Sequence, residues 1–210
     1  MKRAQLKIGV LVSGGGSNLQ AIIDAIRKKK LPAEIMLVIS NKANAGALER
    51  ARKFNIPTKV LDPKSYPDRE AYTSEVTDTL KNNGVELVCL AGFMCILTPY
   101  FAQSFPLRAL NIHPALLPAF GGAGMYGHHV HEAVIKSGAK YSGCTVHFVD
   151  EGCDSGPIVL QQVVKVLDHD TADSLAKRIL RYEHDIYPQA IKYFALGKLI
   201  IEGKRVKIKK

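Results

Sequence analysis

Residues 6–29 read LKIGVLVSGGGSNLQAIIDAIRKK. The apolar run Leu6–Val12 stops at Ser13 and three consecutive glycines, and beyond Asn18 the residues Leu19, Ile22, Ile23 and Ile26 recur on one helical face. A buried strand, a tight turn and an amphipathic helix in that order open a βαβ unit. The alternation then repeats. Ile35–Ile39 reads as a strand, Ala45–Phe54 as a helix ending before Ile56-Pro57, Thr58–Leu61 as a short strand, and Asp68–Asn82 as a helix stopped at Gly84. Leu87–Ala91 and Ala109–Ile112 are further apolar strands, separated by a short helical turn after Pro99. Strands spaced by helices pair in parallel, so the expected fold is α/β and Rossmann-like: a mostly parallel central sheet with helices on both faces.

After residue 112 the pattern changes. A loop rich in glycine and histidine covers Pro114–His128, and a helix runs from about Val130 to Ser137. Gly143–Val149 and Ile158–Val166 are strands joined by a loop too short for a helical crossover, which predicts an antiparallel C-terminal hairpin added to the sheet. Ala172–Leu196 is a long helix interrupted by Pro188, and Ile200–Ile208 a small terminal hairpin. No repeat or low-complexity linker divides the chain. One domain over 1–210 is expected, with a phosphate-binding half at 1–112 and a second half at 113–210.

The chain has 210 residues, 47% hydrophobic and 23% charged, values usual for a soluble globular protein. No apolar run approaches the roughly 18 residues needed to span a bilayer. Met1–Lys7 carries no signal-peptide pattern, so the cytoplasm is the expected compartment. Cys89, Cys95, Cys144 and Cys153 lack Cys-x-x-Cys spacing, which argues against zinc, and disulfides are not expected in that compartment. The net charge of +10 gathers at Lys2, Arg3 and Lys7, at Arg27–Lys30, and at Lys204, Arg205, Lys207, Lys209 and Lys210. It reads as solvated surface with a basic tail. There is no Trp and aromatics do not interleave with the basic runs, so neither nucleic acid nor membrane is an expected partner.

Ser13-Gly14-Gly15-Gly16-Ser17-Asn18 lies where an anion meets backbone N–H groups and the positive end of a helix. A dinucleotide fingerprint fails at Leu19 and at Ser40-Asn41, and no Gly-Lys-Ser/Thr follows for a Walker loop. A phosphate monoester at Gly16, Ser17 and Asn18 fits better than a dinucleotide; a bare turn is the alternative.

Asn111-Ile112-His113 ends a strand that Pro114 stops, at the carboxyl edge where open α/β sheets bind ligands. Asn111 and His113 share a face because side chains alternate along a strand. An amide can stabilise an oxyanion and an imidazole can move a proton. Asp154, in a turn before Ser155-Gly156-Pro157, is expected to fold back to this edge and raise the His113 pKa. No serine or cysteine is placed as nucleophile, which points to group transfer by direct attack of one substrate on another. His128, His129 and His131 lack a third-ligand cluster, so no metal is expected. His147 reads as structural or as supporting the site. Met94-Cys95-Ile96-Leu97 could line a pocket or be core, and Arg69 at a helix start suggests an anionic partner.

Together, Ile8–Asn18, Val38–Lys42, Leu90–Met94, Asn111–Pro118 and Gly143–Gln161 resemble the folate-dependent glycinamide ribonucleotide formyltransferases of purine biosynthesis, over nearly the whole chain. The resemblance implies transfer of a formyl group from 10-formyltetrahydrofolate, a cosubstrate with no tightly bound cofactor, to the amine of glycinamide ribonucleotide. It implies His113 as general acid, Asn111 as oxyanion donor and Asp154 as the residue that raises the histidine pKa. By the same resemblance Gly16, Ser17 and Asn18 would hold the phosphate and Glu183 the ribose. Arg69 would face the benzoylglutamate end of the folate, while Met94, Cys95, Ile96, Leu97, Asn111 and Asp154 surround its pterin. The chain would act as a monomer or homodimer. Formyltetrahydrofolate hydrolases and methionyl-tRNA formyltransferases share the core but add a further domain, which makes them the weaker match; a non-catalytic nucleotide- or RNA-binding module leaves the polar strand end unexplained. Cys95 stands where family members commonly carry a basic residue, and Gly121–His129 is longer than the loop of many relatives.

Overall fold

The computed structural model describes residues 5–209, which divide into two compact units, one ending at Leu110 and the other starting at Asn111. The first contains β1 (Leu6–Val12), α1 (Ser17–Arg27), β2 (Ala33–Ser40), α2 (Gly46–Lys53), β3 (Thr58–Val60), α3 (Arg69–Asn82), β4 (Leu87–Leu90) and α4 (Pro99–Ser104). Its strands lie in the order β3-β2-β1-β4. β1 is parallel to both β2 and β4, and β2 is parallel to β3. With partners on both sides, β1 buries Ile8, Val10, Leu11 and Val12 completely. This is why its sequence is a continuous apolar run and does not alternate. Parallel pairing also sets the carboxyl ends of β1 and β4 side by side, and there the Ser13 hydroxyl accepts a hydrogen bond from the Met94 N–H at 2.8 Å. The N-cap of α3 is Asp68, whose carboxylate accepts from the Ala71 N–H at 2.7 Å, so the helix begins one residue after the acid that the sequence pattern included in it.

The second unit takes in most of β5 (Ala109–His113), followed by α5 (His128–Ser137), β6 (Tyr141–Phe148), β7 (Ile158–Lys165), α6 (Ala172–Ala195), β8 (Leu199–Glu202) and β9 (Arg205–Ile208). The strand order is β5-β6-β7-β9-β8. β6 and β7 form the antiparallel hairpin that the short loop predicts. β8 and β9 form a second hairpin, with Arg205 of β9 in parallel register with Ile158 of β7. α6 packs on β6, β7 and α5, burying Leu175, Ile179, Tyr187, Ala190 and Ile191. Thr171 and Ser174 close a capping box at its start, and Pro188 lies within it. Among the described residues no helix is long and apolar enough to cross a membrane. Of the basic residues noted at the termini, Lys2, Arg3 and Lys210 lie outside the described residues.

Candidate active site

The second unit assembles four polar side chains around the end of β5. His113 is the last residue of that strand and is 3% exposed. Its Nε2 donates to the Phe120 carbonyl at 2.8 Å, and because a carbonyl only accepts, Nε2 carries a proton. Nδ1 faces Asp154 Oδ2 at 3.5 Å. A neutral ring held this way presents a lone pair to a carboxylate, whereas a protonated ring presents N–H, so the contacts favour imidazolium. Burial opposes it and prevails. The His113 pKa lies below the usual histidine value, although the charge of Asp154 and the Phe120 carbonyl draw it back up. The upward shift expected from the sequence is therefore not the net one, because proximity to a carboxylate could be guessed while near-complete desolvation could not.

Asp154 is held at φ 55, a left-handed backbone that Asp tolerates better than most residues. Its Oδ2 accepts from the Gly122 N–H at 3.1 Å, and its Oδ1 lies 3.6 Å from His147 Nε2. Burial works to raise the Asp154 pKa. Contact with the His147 ring, the charge of His113 and the Gly122 N–H outweigh it, so the carboxyl ionises below its ordinary range. His147 is 2% exposed, and its Nδ1 donates to the Phe148 carbonyl at 2.8 Å. That bond makes Nε2 the acceptor in the neutral ring, and the Asn111 amide nitrogen lies 3.2 Å from it. The amide contact is shorter than the 3.6 Å to Asp154. His147 thus orients the Asn111 amide, leaving its second N–H to point elsewhere. The sequence marked His147 only as structural or supporting; nothing in its local pattern distinguishes it from a core histidine.

The loop after β5 is fastened by a buried polar hub. The Thr145 hydroxyl donates to the Ala115 carbonyl at 2.6 Å and accepts from the Leu117 N–H at 3.1 Å and from Gln161 Nε2 at 3.0 Å. Gln161 also donates to the Leu117 carbonyl at 2.9 Å. These bonds from β6 and β7 hold the segment that brings Phe120 back to His113; the Leu117–Pro118 peptide bond within it is cis. The Cys153 thiol lies 3.8 Å from Asp154 Oδ2. Burial and the neighbouring carboxylate push its pKa up, which keeps it a poor nucleophile. Glu183 is buried in α6, and its charge raises the pKa of the β6 thiol Cys144, which burial already raises. His131 is buried, its Nδ1 without a hydrogen-bond partner among the described residues, and burial pushes its pKa down to about 4. His128 and His129 are exposed and pair with Glu132.

The first unit holds the glycine turn. Gly16 caps α1 at φ 73, and a Cβ there would come within 2.5 Å of the Ala47 side chain, so this glycine is dictated by the fold. At Gly14 and Gly15 a Cβ would meet nothing within 4 Å, which leaves open space over the backbone. No side chain caps α1, and Arg50 of α2 donates from Nε to the Gly15 carbonyl at 2.7 Å. Ser17 is half-buried and Asn18 buried at the first turn of α1. Cys95 Sγ lies 2.9 Å from the Asn41 amide nitrogen, and burial raises its pKa. Met94 and Ile96 are exposed and Leu97 is half-buried, so this stretch is surface and not core. Arg69 is exposed and makes no ion pair among the described residues. The structure thus joins His113, Asn111 and Asp154, adds His147, and links the end of the glycine turn to Met94.

A family model described as formyl transferase matches residues 6–191. The chloroplastic phosphoribosylglycinamide formyltransferase of Arabidopsis thaliana is 45% identical over 186 residues, covering 88% of this chain and 64% of that protein. The trifunctional purine biosynthetic protein adenosine-3 of Drosophila pseudoobscura pseudoobscura is 46% identical over 95% of this chain, which spans 14% of its length. The crystal structure of glycinamide ribonucleotide transformylase 1 from Symbiobacterium toebii superposes with a TM-score of 0.94 at 47% identity, over 99% of this chain and 95% of that one.

Proposed function

This chain belongs to the formyl transferase family, and from that membership and the site above we propose that it transfers the formyl group of 10-formyltetrahydrofolate to the amine of glycinamide ribonucleotide. The observation that carries this reading is the Asn111–His147–Asp154–His113 cluster, which has an amide donor and a proton-transfer pair and is touched by a thiol, Cys153, whose pKa is pushed up. The substrate amine attacks the formyl carbon, and the carbonyl π pair moves onto oxygen. The free N–H of Asn111 stabilises that oxyanion, an interaction worth roughly 3 kcal/mol of barrier in comparable sites. His113 supplies the proton that N10 of the folate takes as the C–N bond breaks, and the carbonyl re-forms on the new amide. Both ring nitrogens of His113 are engaged, so delivery requires exchange of the Phe120 or the Asp154 contact. Asp154 stabilises the imidazolium and accepts the proton released by the attacking amine through water.

Gly16, Ser17 and Asn18 take the phosphate and Glu183 the ribose. Arg69 takes the glutamate end of the folate, and Met94, Cys95, Ile96 and Leu97, with Asn111 and Asp154, take the pterin. Formyl-folate serves as a cosubstrate, the chain acts as a monomer or homodimer, and the four free thiols suit the cytoplasm.

The test is a two-substrate assay in which each substrate is omitted in turn. Tetrahydrofolate is expected to form only when both are present. Formation at the same rate without the ribonucleotide would make water the acceptor and the protein a hydrolase.

A further inference from the structure

Asp154 owes its position to the loop between Phe148 and Ile158, and that loop is closed by contacts outside the cluster. The Asp150 carboxylate is the hub. Its Oδ1 accepts from the Ser155 hydroxyl at 2.7 Å and from the Gly152 N–H at 3.2 Å. Its Oδ2 accepts from Lys204 Nζ at 3.0 Å, and the same ammonium donates to the Ser155 carbonyl at 2.6 Å. Lys204 therefore grips the two residues that bracket 151–154, through the Asp150 side chain and the Ser155 carbonyl. At Gly156 a Cβ would fall 1.8 Å from the Phe148 carbonyl, so the base of the loop is already as tight as the backbone allows.

The lysine reaches this point because β9 is registered with the start of β7 at Ile158 and Arg205, which sets the β8–β9 turn beside Ser155. Residues 199–208 lie beyond the 6–191 segment matched by the family model.

We propose that Lys204 is a positioning residue for the reaction, fastening the Asp150–Ser155 loop so that the Asp154 carboxylate stays against His113. This rests on the function proposed above. Lys204 is largely exposed, so its ion pair is worth little to global stability. A loop with few anchors opens at low free energy, however, and there a small loss changes the population of the placed carboxylate. One member of the basic tail thereby has a task beyond solvation.

The experiment compares wild type with Lys204→Met, which keeps the stem and removes the charge, and Lys204→Arg, which keeps the charge. Lys204→Met is expected to lower kcat about three- to tenfold, the order of one exposed charge-assisted contact. KM for the ribonucleotide and the melting temperature should not change, and Lys204→Arg should recover most of the loss. The His113 titration is read directly by NMR in both proteins. His113 interacts by charge with Asp154, His147 and His131, and of these Asp154 raises its pKa, so a displaced carboxylate moves that pKa down. The limb on which kcat falls with rising pH shifts down with it. Unchanged kcat and an unshifted His113 titration in Lys204→Met would overturn the proposal. So would a loss of kcat that tracks a lower melting temperature with no shift in titration. If wild type transfers no formyl group, the proposed function fails on its own, and the NMR titration still decides what Lys204 does.

Discussion

At the scale of single residues, the site is a balance between desolvation and contact. His113 is pulled toward neutrality by burial and toward charge by Asp154. Asp154 is pushed toward neutrality by burial and toward charge by His147, His113 and Gly122. The outcome is an imidazole that gives up its proton readily beside a carboxylate that stays charged, which suits a proton donor in a transition state. Asp154→Asn tests the pair cleanly, because Asn is isosteric and adopts the left-handed backbone found at this position. Turnover is expected to fall by about a hundredfold or more, as for loss of one preorganised electrostatic partner. Binding of the ribonucleotide, measured by calorimetry, should be unchanged. Wild-type turnover in this variant would remove Asp154 from the mechanism.

At the scale of elements, the strands supply the site and the segment after β5 completes it. That segment has no regular structure of its own between Pro114 and Phe120, and its backbone groups are satisfied by side chains of β6 and β7. Thr145 is fully buried and serves three partners through one hydroxyl. Thr145→Val conserves the shape and strands the Ala115 carbonyl, the Leu117 N–H and one Gln161 contact. Buried polar groups left without partners cost about 1–3 kcal/mol each before relaxation. A loss of about 2–3 kcal/mol is therefore expected, seen as a lower denaturant midpoint at unchanged m-value. An unaltered midpoint would show that the hub is not what holds the segment.

At the scale of the whole molecule, stability follows pH through groups far from the chemistry as well as near it. His131 is buried without a partner for Nδ1 among the described residues, and its pKa is pushed down to about 4. In the unfolded chain a histidine titrates near 6.5. Between those values the unfolded state binds the proton and the folded state does not, so stability falls as pH falls through that window and the loss is complete below it. The full span corresponds to about 3 kcal/mol. His131→Gln, which is neutral throughout, should flatten the slope of unfolding free energy against pH between 6.5 and 4. Asp154, Asp150 and Asp170 have lowered pKa values, so their contributions are lost only at more acidic pH. A variant with the wild-type slope would place the acid sensitivity elsewhere.

The alternation of apolar runs and helical stripes from Leu6 to Ile112 was enough to determine a parallel α/β core, because hydrophobic period and crossover length are local properties. The same local reading found Asn111 and His113 at a strand end and the short loop that makes β6 and β7 antiparallel. It could not find the groups that act on those residues. The Phe120 carbonyl, the Gly122 N–H, the ring of His147 and the ammonium of Lys204 carry no signal in their neighbours along the chain. Their roles exist only where residues distant in sequence come within hydrogen-bonding range. The direction of the His113 pKa belongs to the same class, since desolvation is set by everything packed around a ring and not by the residue beside it. Period and spacing specify which side chains reach an edge; three-dimensional packing decides the charge they carry there.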